Sequence, residues 1–232
     1  MTAICDLHNH ILPGMDDGCQ TLEESLAVLA VAAEQGVFHL VCTPHYYGEE
    51  PVEAFLQRRD AAERLLREHL PQGMHICVGA EVAYYNGICR CEQLEKLCFG
   101  NSRFLLLELP FTSWNSDMFR ELQNLNHIRG IIPIIAHLER YLPLQSKQAV
   151  KHLLENDVLV QMNAEGLLHL DSAFTARRLL KNGTAQLLGS DCHNLTTRPF
   201  NLGTALKKRG LSREFTRAAA LSMEIFAAAE KM

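Results

Sequence analysis

The chain has 232 residues, of which 47% are hydrophobic and 21% are charged. This length accommodates one substantial core, and this composition excludes a disordered chain. The net charge of −5 argues against a general nucleic-acid-binding protein, which usually carries a basic face.

The N-terminal stretch MTAICDLHNHILPG lacks the basic segment followed by an apolar segment that marks a secretory signal. No apolar run approaches the ~20 residues that span a bilayer. The longest run, residues 131–138, is short and contains a proline. The sequence therefore predicts a cytoplasmic protein that does not span a membrane.

Seven short apolar runs are spaced along the chain, with longer amphipathic segments between them. Each run is nearly continuous rather than alternating, which is typical of strands buried on both faces of a parallel sheet. The predicted strands cover residues 3–7, 38–42, 76–79, 104–107, 131–136, 158–162 and 185–188.

The segments between these runs have the pattern of helices. The first spans residues 21–35, opens with Thr21 and Glu24 at capping-box spacing, and stops at Gly36. Further helices are predicted over residues 51–70, 116–129, 146–156 and 172–182, and a terminal helix begins at Ser212.

The alternation of strands and helices indicates an α/β fold in which right-handed crossovers join parallel strands. Two arrangements satisfy this pattern, an open doubly wound sheet and a closed barrel. No G-x-G-x-x-G motif follows the first strand, which removes the main sign of a dinucleotide-binding sheet. We therefore expect a barrel that forms a single domain.

Histidines and carboxylates cluster at the C-terminal ends of six of the seven predicted strands. In a parallel barrel these ends open on one face, where barrel enzymes place their catalytic groups. Buried carboxylates are costly without a cation or a partner, so this shared placement predicts a metal site. The residues are His8, His10, His45, Glu81, Glu108, His137, Asp191 and His193.

Spacing and donor type narrow the choice of metal. Strand alternation sends His8 and His10 to one side, so that H-x-H can chelate one metal or span two. Asp191 and His193 repeat this spacing on the last strand. Imidazole nitrogens with carboxylate oxygens suit manganese, iron, zinc or cobalt, and the lack of thiolate ligands argues against a structural zinc site. Carboxylates can also bridge neighbouring cations, as phosphate-ester chemistry requires.

Six motifs together resemble the PHP-domain (polymerase and histidinol phosphatase) superfamily. Within it they are most similar to the manganese-dependent protein-tyrosine phosphatases of bacterial capsule and exopolysaccharide loci. The resemblance covers the chain from Asp6 to Pro199 and is specific in order and spacing. The motifs are DLHNHILPGMDDG, TPHY, GAEV, LELP, AHLERY, and SDCHN followed by RP.

This resemblance implies a distorted (β/α)7 TIM-like barrel of the PHP fold over residues 1–232. It also implies three divalent metal ions at the C-terminal ends of the strands, most often manganese, with iron, zinc, cobalt and magnesium as alternatives. The implied ligands are His8, His10, His45, Glu81, Glu108, His137, Asp191 and His193. One carboxylate of the DDG motif joins them, and the sequence leaves the choice between Asp16 and Asp17 open.

The resemblance further implies that a metal-activated water hydrolyses phosphotyrosine, without a nucleophilic side chain. Arg140 and Arg198 match family arginines that hold the phosphate, a task suited to the two parallel hydrogen bonds of a guanidinium. The implied partner is a phosphotyrosine protein, such as the tyrosine-rich tail of a polysaccharide-export kinase. The general acid and the oligomeric state, a homo-oligomer included, stay open.

Three other interpretations compete with this one. A PHP phosphoesterase can act on a small molecule such as histidinol phosphate or a nucleotide, and a PHP module can bind metal without catalysis. The intact ligand set argues against the silent module. A thiol phosphatase is suggested by Cys192 and Arg198, which form C-x5-R, but the intervening residues lack the glycines of a phosphate-binding loop.

Overall fold

The computed structural model describes residues 3–208 and 210–231. Within these ranges, seven α-helices alternate with nine short strands. The strands are β1 (Cys5–Asp6), β2 (His39–Cys42), β3 (His45–Tyr46), β4 (His75–Val78), β5 (Glu81–Ala83), β6 (Phe104–Glu108), β7 (Ile132–Ile135), β8 (Leu159–Asn163) and β9 (Leu187–Gly189). The helices are α1 (Leu22–Glu34), α2 (Val52–Glu68), α3 (Ser116–His127), α4 (Lys147–Leu154), α5 (Ala173–Lys181), α6 (Leu202–Leu206) and α7 (Ser212–Glu230).

Each of the seven predicted runs overlaps an observed strand. The larger number arises because Thr43 and Pro44 separate β2 from β3, and Gly79 and Ala80 separate β4 from β5. Proline has no N–H to donate to the ladder, which explains the first break. The two interrupted stretches stay side by side, since Glu81 N–H donates to the Pro44 carbonyl at 3.1 Å.

All paired strands are parallel and form two sheets, with the orders β1-β2-β4 and β3-β5-β6-β7-β8-β9. Hydrogen bonds also join the chain just beyond β1 to the chain just beyond β9. Asp191 N–H donates to the His8 carbonyl, and His10 N–H donates to the Cys192 carbonyl, each at 2.8 Å. The fold is therefore α/β with a curled parallel sheet. The closed (β/α)7 barrel stays a prediction.

Local sequence explains where the helices begin. Thr21 caps α1, because its Oγ1 accepts from Glu24 N–H at 3.2 Å, as the capping spacing predicted. Asn115 and Ser146 cap α3 and α4 through their side-chain oxygens. Helix α6 was not predicted, since five residues are too few to show a helical period. Within the described ranges, no helix is long and apolar enough to cross a membrane.

Two apolar clusters hold the strands. One lies between the strands and the surrounding helices, and all seven helices contribute residues to it. The other lies on the opposite strand face, inside the curl, and contains strand residues such as Leu7, Leu106 and Leu187 together with Ile225 and Phe226 of α7. The Cys5 N–H donates to Ser222 Oγ at 3.1 Å, so α7 covers the N-terminal ends of the strands. The opposite, C-terminal ends remain for polar side chains.

Candidate metal centre

The C-terminal strand ends bring the predicted ligands together in three adjoining clusters, within each of which the nitrogen and carboxylate atoms lie within 4.8 Å of one another. Because His10 and His45 each belong to two clusters, the three form one continuous centre. The clusters are His8, His10 and Asp191; His45, Glu81 and Glu108; and His10, Asp17, His45 and His193. His137 lies beside them, with Nε2 at 3.1 Å from Glu81 Oε1 and 3.3 Å from Glu108 Oε1.

Glu81 occupies the middle of this centre. Its Oε2 lies 3.1 Å from His8 Nε2, 3.2 Å from His10 Nε2 and 3.3 Å from His45 Nδ1. Burial alone raises a carboxyl pKa, but the surrounding histidines outweigh burial and hold the pKa of Glu81 well below its usual range. Glu81 is therefore an ionised, buried carboxylate surrounded by imidazole nitrogens.

The structure distinguishes the two aspartates that the sequence left open. Asp16 Oδ2 lies 2.7 Å from His10 Nδ1 and accepts the backbone N–H of His45 at 2.8 Å, so Asp16 holds the His10 ring and the His45 backbone from behind. Asp17 Oδ1 instead lies 3.3 Å from His193 Nε2 and 3.8 Å from His45 Nε2. Asp17, which is 65% exposed, is the one that faces the cluster.

The His10–Asp16 pair is electrostatically strong. Burial lowers the pKa of His10, but hydrogen bonds with Asp16 and Glu81 outweigh burial and raise that pKa to about 10. The pKa of Asp16, which burial alone would raise, falls to about 2 because of its contacts with His10 and two backbone N–H groups. In His137, burial is likewise outweighed by Glu108 and Glu81, and the pKa is raised to about 9. Both histidines are thus held close to carboxylates in their protonated form.

Asp191 and His193 reach the centre through a backbone conformation that differs from the expected strand. Strand alternation was predicted to direct them, but β9 ends at Gly189, so that explanation is wrong. Asp191 instead adopts a left-handed backbone with φ of 53°, and His137 does the same with φ of 33°. Such conformations are uncommon for residues other than glycine and tend to occur at functional sites.

Both predicted arginines lie beside Asp191. Arg198 Nη2 donates to Asp191 Oδ1 at 2.8 Å and to Oδ2 at 2.7 Å, and its Nη1 lies 2.6 Å from His193 Nε2. Arg140 is more exposed, with Nη1 3.6 Å from Asp191 Oδ2 and its guanidinium 5.5 Å from the centre of the Phe111 ring. A cavity of about 360 Å³ adjoins both guanidinium groups, and Glu139, His169 and Asp191 also line it.

A second buried network beneath the centre was not predicted. Asp6 accepts from Ser190 N–H at 2.8 Å, from Ser190 Oγ at 2.6 Å and from Asn9 Nδ2 at 3.2 Å. Burial raises the pKa of Asp6 to about 6, against the opposing effect of Ser190. Asp6 thus links the first and last strands. The sequence does contain a signal for Asp6, since it lies two residues before His8, the spacing at which side chains share one face of a strand.

Strand β8 also contributes polar side chains that the sequence-based set omitted. Gln161 and Asn163 are both buried, and their amides bond to His8, to His137 and to Asp191. A pattern of titratable residues at strand ends does not reveal them, because amides are not titratable.

Cys192 is placed unlike a nucleophile. Its thiol is buried and its Sγ lies 3.5 Å from the Asn194 carbonyl. Burial, reinforced by Asp6, raises its pKa well above the usual range. A reactive cysteine requires an accessible thiolate, so this geometry does not support the thiol-phosphatase interpretation.

The donor set fits divalent cations. Among the described residues, the buried Nδ1 atoms of His45 and His137 make no hydrogen bond, although His45 Nδ1 lies 3.3 Å from Glu81 Oε2 and buried polar atoms nearly always make one. Imidazole nitrogens and carboxylate oxygens in this mixture suit manganese, iron, zinc or cobalt. Glu81 and Glu108, both beside His45, offer carboxylates of the kind that bridge two cations.

Comparisons with known proteins agree with this chemistry. A family model described as capsular polysaccharide synthesis, CpsB/CapC, matches residues 4–226. The tyrosine-protein phosphatase CpsB of Streptococcus agalactiae serotype V is 32% identical over 221 residues, which cover 87% of this chain and 88% of that protein.

Two solved structures are similar to this one. The structure of the metal-dependent tyrosine phosphatases YwqE from Bacillus subtilis and CpsB from Streptococcus pneumoniae matches with a TM-score of 0.81 and 25% identity, over 99% of this chain and 96% of the other. An organophosphorus hydrolase variant from Deinococcus radiodurans matches with a TM-score of 0.54 and 13% identity, over 97% of this chain and 92% of the other. The second likeness concerns the fold alone.

Proposed function

This chain belongs to the CpsB/CapC family of capsular polysaccharide synthesis, and we propose that it is a metal-dependent phosphatase of tyrosine-phosphorylated proteins. The resemblance to tyrosine phosphatases of capsule loci, first visible in the sequence motifs, is confirmed. The observation that carries the proposal is the continuous centre of imidazoles and carboxylates with two arginines beside it.

The proposed site has three cations, one for each cluster of ligand atoms, with manganese as the first candidate. The ligands are the eight residues His8, His10, His45, Glu81, Glu108, His137, Asp191 and His193, together with Asp17. Asp16 is assigned to orienting His10 rather than to binding a cation, because its Oδ2 is already hydrogen-bonded to His10 and His45. When bound, divalent cations lower the pKa of water, so that it attacks phosphorus at neutral pH, and they neutralise charge on the phosphate.

The two arginines would hold the phosphate oxygens. Arg140 is free to do so with little rearrangement, since its nearest carboxylate contact is 3.6 Å long. Arg198 first has to exchange its hydrogen bonds with Asp191 and His193. If Asp191 and His193 held a cation, the Arg198 guanidinium would be free to donate to phosphate, where it would stabilise charge that develops in the transition state.

Two aromatic rings at the rim favour an aryl phosphate over a small polar one. Tyr47 is 53% exposed and stacks on His45 with ring centres 5.0 Å apart. Phe111 is also exposed and lies 6.2 Å from the His137 ring at an angle of 17°. A phosphotyrosine ring whose phosphate reached the centre would meet these two rings at the rim, and aromatic rings attract one another in such arrangements.

The biological setting follows from the family. We propose that the chain is one domain with a distorted (β/α)7 barrel, acts in the cytoplasm and regulates capsule or exopolysaccharide synthesis. Its proposed substrate is a phosphotyrosine-containing tail of a kinase that controls polysaccharide export. The names of the relatives and the chemistry of the site support these statements together.

Activity on two substrates side by side tests the proposal. Purified protein with a verified manganese content is assayed on a phosphotyrosine peptide and on histidinol phosphate. We expect a higher kcat/KM for the peptide. A preference for histidinol phosphate would establish the small-molecule phosphoesterase instead, and no turnover of either, with metal bound, would establish a silent module.

A further inference from the structure

The C-terminal end of β8 carries two amides where neighbouring strands carry histidines and carboxylates. Gln161 and Asn163 are two residues apart on this strand, so their side chains share a face, and both are buried beside the metal centre. We propose that Gln161 and Asn163 are positioning residues that hold His8, His137 and Asp191 in the arrangement that binds cations. This inference rests on the proposed metal centre.

Hydrogen bonds at both ends of the chain of amides fix their orientation. The His137 backbone N–H, which can only donate, lies 2.7 Å from Gln161 Oε1. Gln161 Nε2 then donates to Asn163 Oδ1 at 2.9 Å, and Asn163 Nδ2 donates to the Asp191 carboxylate at 2.8 Å. Since an ionised carboxylate can only accept, reversing either amide would break a bond at one end. The orientation is thus fixed by the network itself.

Gln161 also determines which nitrogen of His8 faces the metal centre. The Nδ1 of His8 lies 3.2 Å from Gln161 Oε1, and because this oxygen only accepts, Nδ1 must carry the proton. In neutral His8 the lone pair is then on Nε2, which lies 3.1 Å from Glu81 Oε2 and 3.4 Å from Asp191 Oδ1. Gln161 therefore presents the ligating nitrogen of His8 towards the centre.

The same oxygen holds the uncommon backbone conformation of His137. At φ of 33°, this residue lies in the left-handed region, which costs energy unless neighbouring contacts impose it. The bond from His137 N–H to Gln161 Oε1 is such a contact. Through Asn163, the network also reaches Asp191, the second residue of the centre with a left-handed backbone.

The adjacent strand leaves room for the glutamine. A Cβ added at Gly189 would lie 2.7 Å from Gln161 Nε2 and 2.8 Å from His8 Cβ, both too close for real atoms. Gly189 therefore lets His8 and Gln161 approach each other across β9. This close approach is a third, independent feature that places Gln161 against the ligand.

Only an amide satisfies all of these partners. It accepts from His8 and His137 through its oxygen and donates to Asn163 through its nitrogen. A leucine would leave buried donors unpaired, and a glutamate would lack the donor and add another negative charge. Groups that hydrogen-bond to metal ligands in this way typically change metal affinity about 10- to 100-fold when removed.

Calorimetric titration of the chelated, metal-free protein with Mn²⁺ tests the inference in Gln161→Leu. Gln186→Leu is the matched control. Gln186 precedes β9 and accepts the N–H of Val160 on β8 at 2.9 Å, but it lies outside the centre. We expect Gln161→Leu to raise the Kd of the tightest Mn²⁺ sites about 10- to 100-fold and Gln186→Leu to leave it within about twofold. The rise in Tm that Mn²⁺ produces should shrink in parallel, a change that a purely structural glutamine would not cause.

Asn163→Ser provides a second variant that removes the bonds of Asn163 with Asp191 and with Gln161 Nε2, and it decides the question if Gln161→Leu does not fold. A smaller increase in Kd, about fivefold or more, is expected because His8 and His137 keep their partner. Folded variants that bind Mn²⁺ as tightly as the unaltered protein would overturn the inference while leaving the proposed function intact. An unaltered protein that binds no divalent cation would instead overturn the proposed metal centre, and this inference with it.

Discussion

The two ends of the parallel strands hold opposite kinds of side chain. At the N-terminal end, apolar residues such as Cys5, Val41 and Leu187 pack against Ile225 and Phe226 of α7. At the C-terminal end, the same strands lead into histidines and carboxylates that are nearly as well buried.

The difference shows that the two ends of the strands have different roles, stability at the N-terminal end and chemistry at the C-terminal end. Burying apolar surface stabilises the N-terminal end directly. The C-terminal end instead contains buried charges, and each is tolerated because it has a partner, as Glu81 has in four histidines and Asp6 in Ser190. His137 and Asp191, which have a left-handed backbone although neither is glycine, also lie at this end. We therefore expect changes at the C-terminal end to act on turnover and changes at the N-terminal end to act on stability.

Removal of metal should produce the largest effect. Treatment with EDTA is expected to abolish turnover of a phosphotyrosine peptide, and added Mn²⁺ is expected to restore it, because the attacking water depends on bound cations. The Tm should fall as well, since a ligand at about 1,000 times its Kd stabilises the folded state by ~4 kcal/mol. Full activity in a sample shown to be metal-free would contradict the mechanism, and an unchanged Tm would contradict a site that joins several strands.

Loss of either arginine proposed to hold the phosphate should come next. Arg140→Ala and Arg198→Ala are each expected to lower kcat/KM about 10²- to 10³-fold, as removal of other donors to a developing negative charge does. Metal content, measured by elemental analysis, should stay near normal. Arg120→Ala on α3 is the control, because Arg120 pairs with Asp117 on the surface. Wild-type kinetics in both variants would show that these arginines have other roles.

Acidification should weaken the metal centre more gradually. In the protein without cations, His10 and His137 have pKa values raised to about 10 and about 9, so both carry protons at neutral pH. Cation binding has to displace these protons, and the affinity for Mn²⁺ should therefore rise with pH, by up to about tenfold per pH unit for each proton released. Titration calorimetry at pH 6.5, 7.5 and 8.5, in buffers of different ionisation enthalpy, measures both quantities. An affinity independent of pH would refute the proton displacement.

A substitution at the N-terminal end should affect stability and spare turnover. Phe226→Ala removes a buried ring whose centre lies 5.2 Å from the centre of the His39 ring. The substitution should lower the free energy of unfolding by ~3–5 kcal/mol. Turnover per folded, metal-loaded molecule should stay within about twofold. Phe174→Ala, at a ring that is 76% exposed, is the control and should change neither. A large loss of turnover in folded Phe226→Ala would show that the two ends are coupled.

The smallest effect is expected for Cys192→Ser. The thiol is buried, its pKa is raised by burial, and it contacts the Asn194 carbonyl, so it has no part in the proposed chemistry. Serine is similar in size and can keep that hydrogen bond, so turnover at equal manganese content should stay within about twofold. A thiol phosphatase would lose several orders of magnitude on this change. An inactive variant with normal fold and full metal loading would therefore restore the thiol interpretation.

Much of this molecule was predictable from local patterns. Each of the seven apolar runs overlaps a strand, because a strand buried on both faces leaves a continuous apolar signature. The capping pair Thr21 and Glu24 marked the start of α1 for the same local reason. The predicted ligands converge because parallel strands share one C-terminal face, so position along each run was enough to group them.

Tertiary structure alone decided what depended on distant contacts. The choice of Asp17 over Asp16 rests on which carboxylate meets His193 and which meets His10, although the two aspartates are adjacent in sequence. Gln161 meets His8 across 153 residues, and Asp6 meets Ser190 across 184. Hydrogen bonds of this kind depend on register and distance between separate strands, which no local pattern encodes. The sequence therefore determined which groups reach the centre, and the packing of the strands determined which of them lie within reach of one another there and which hydrogen-bond to them from behind.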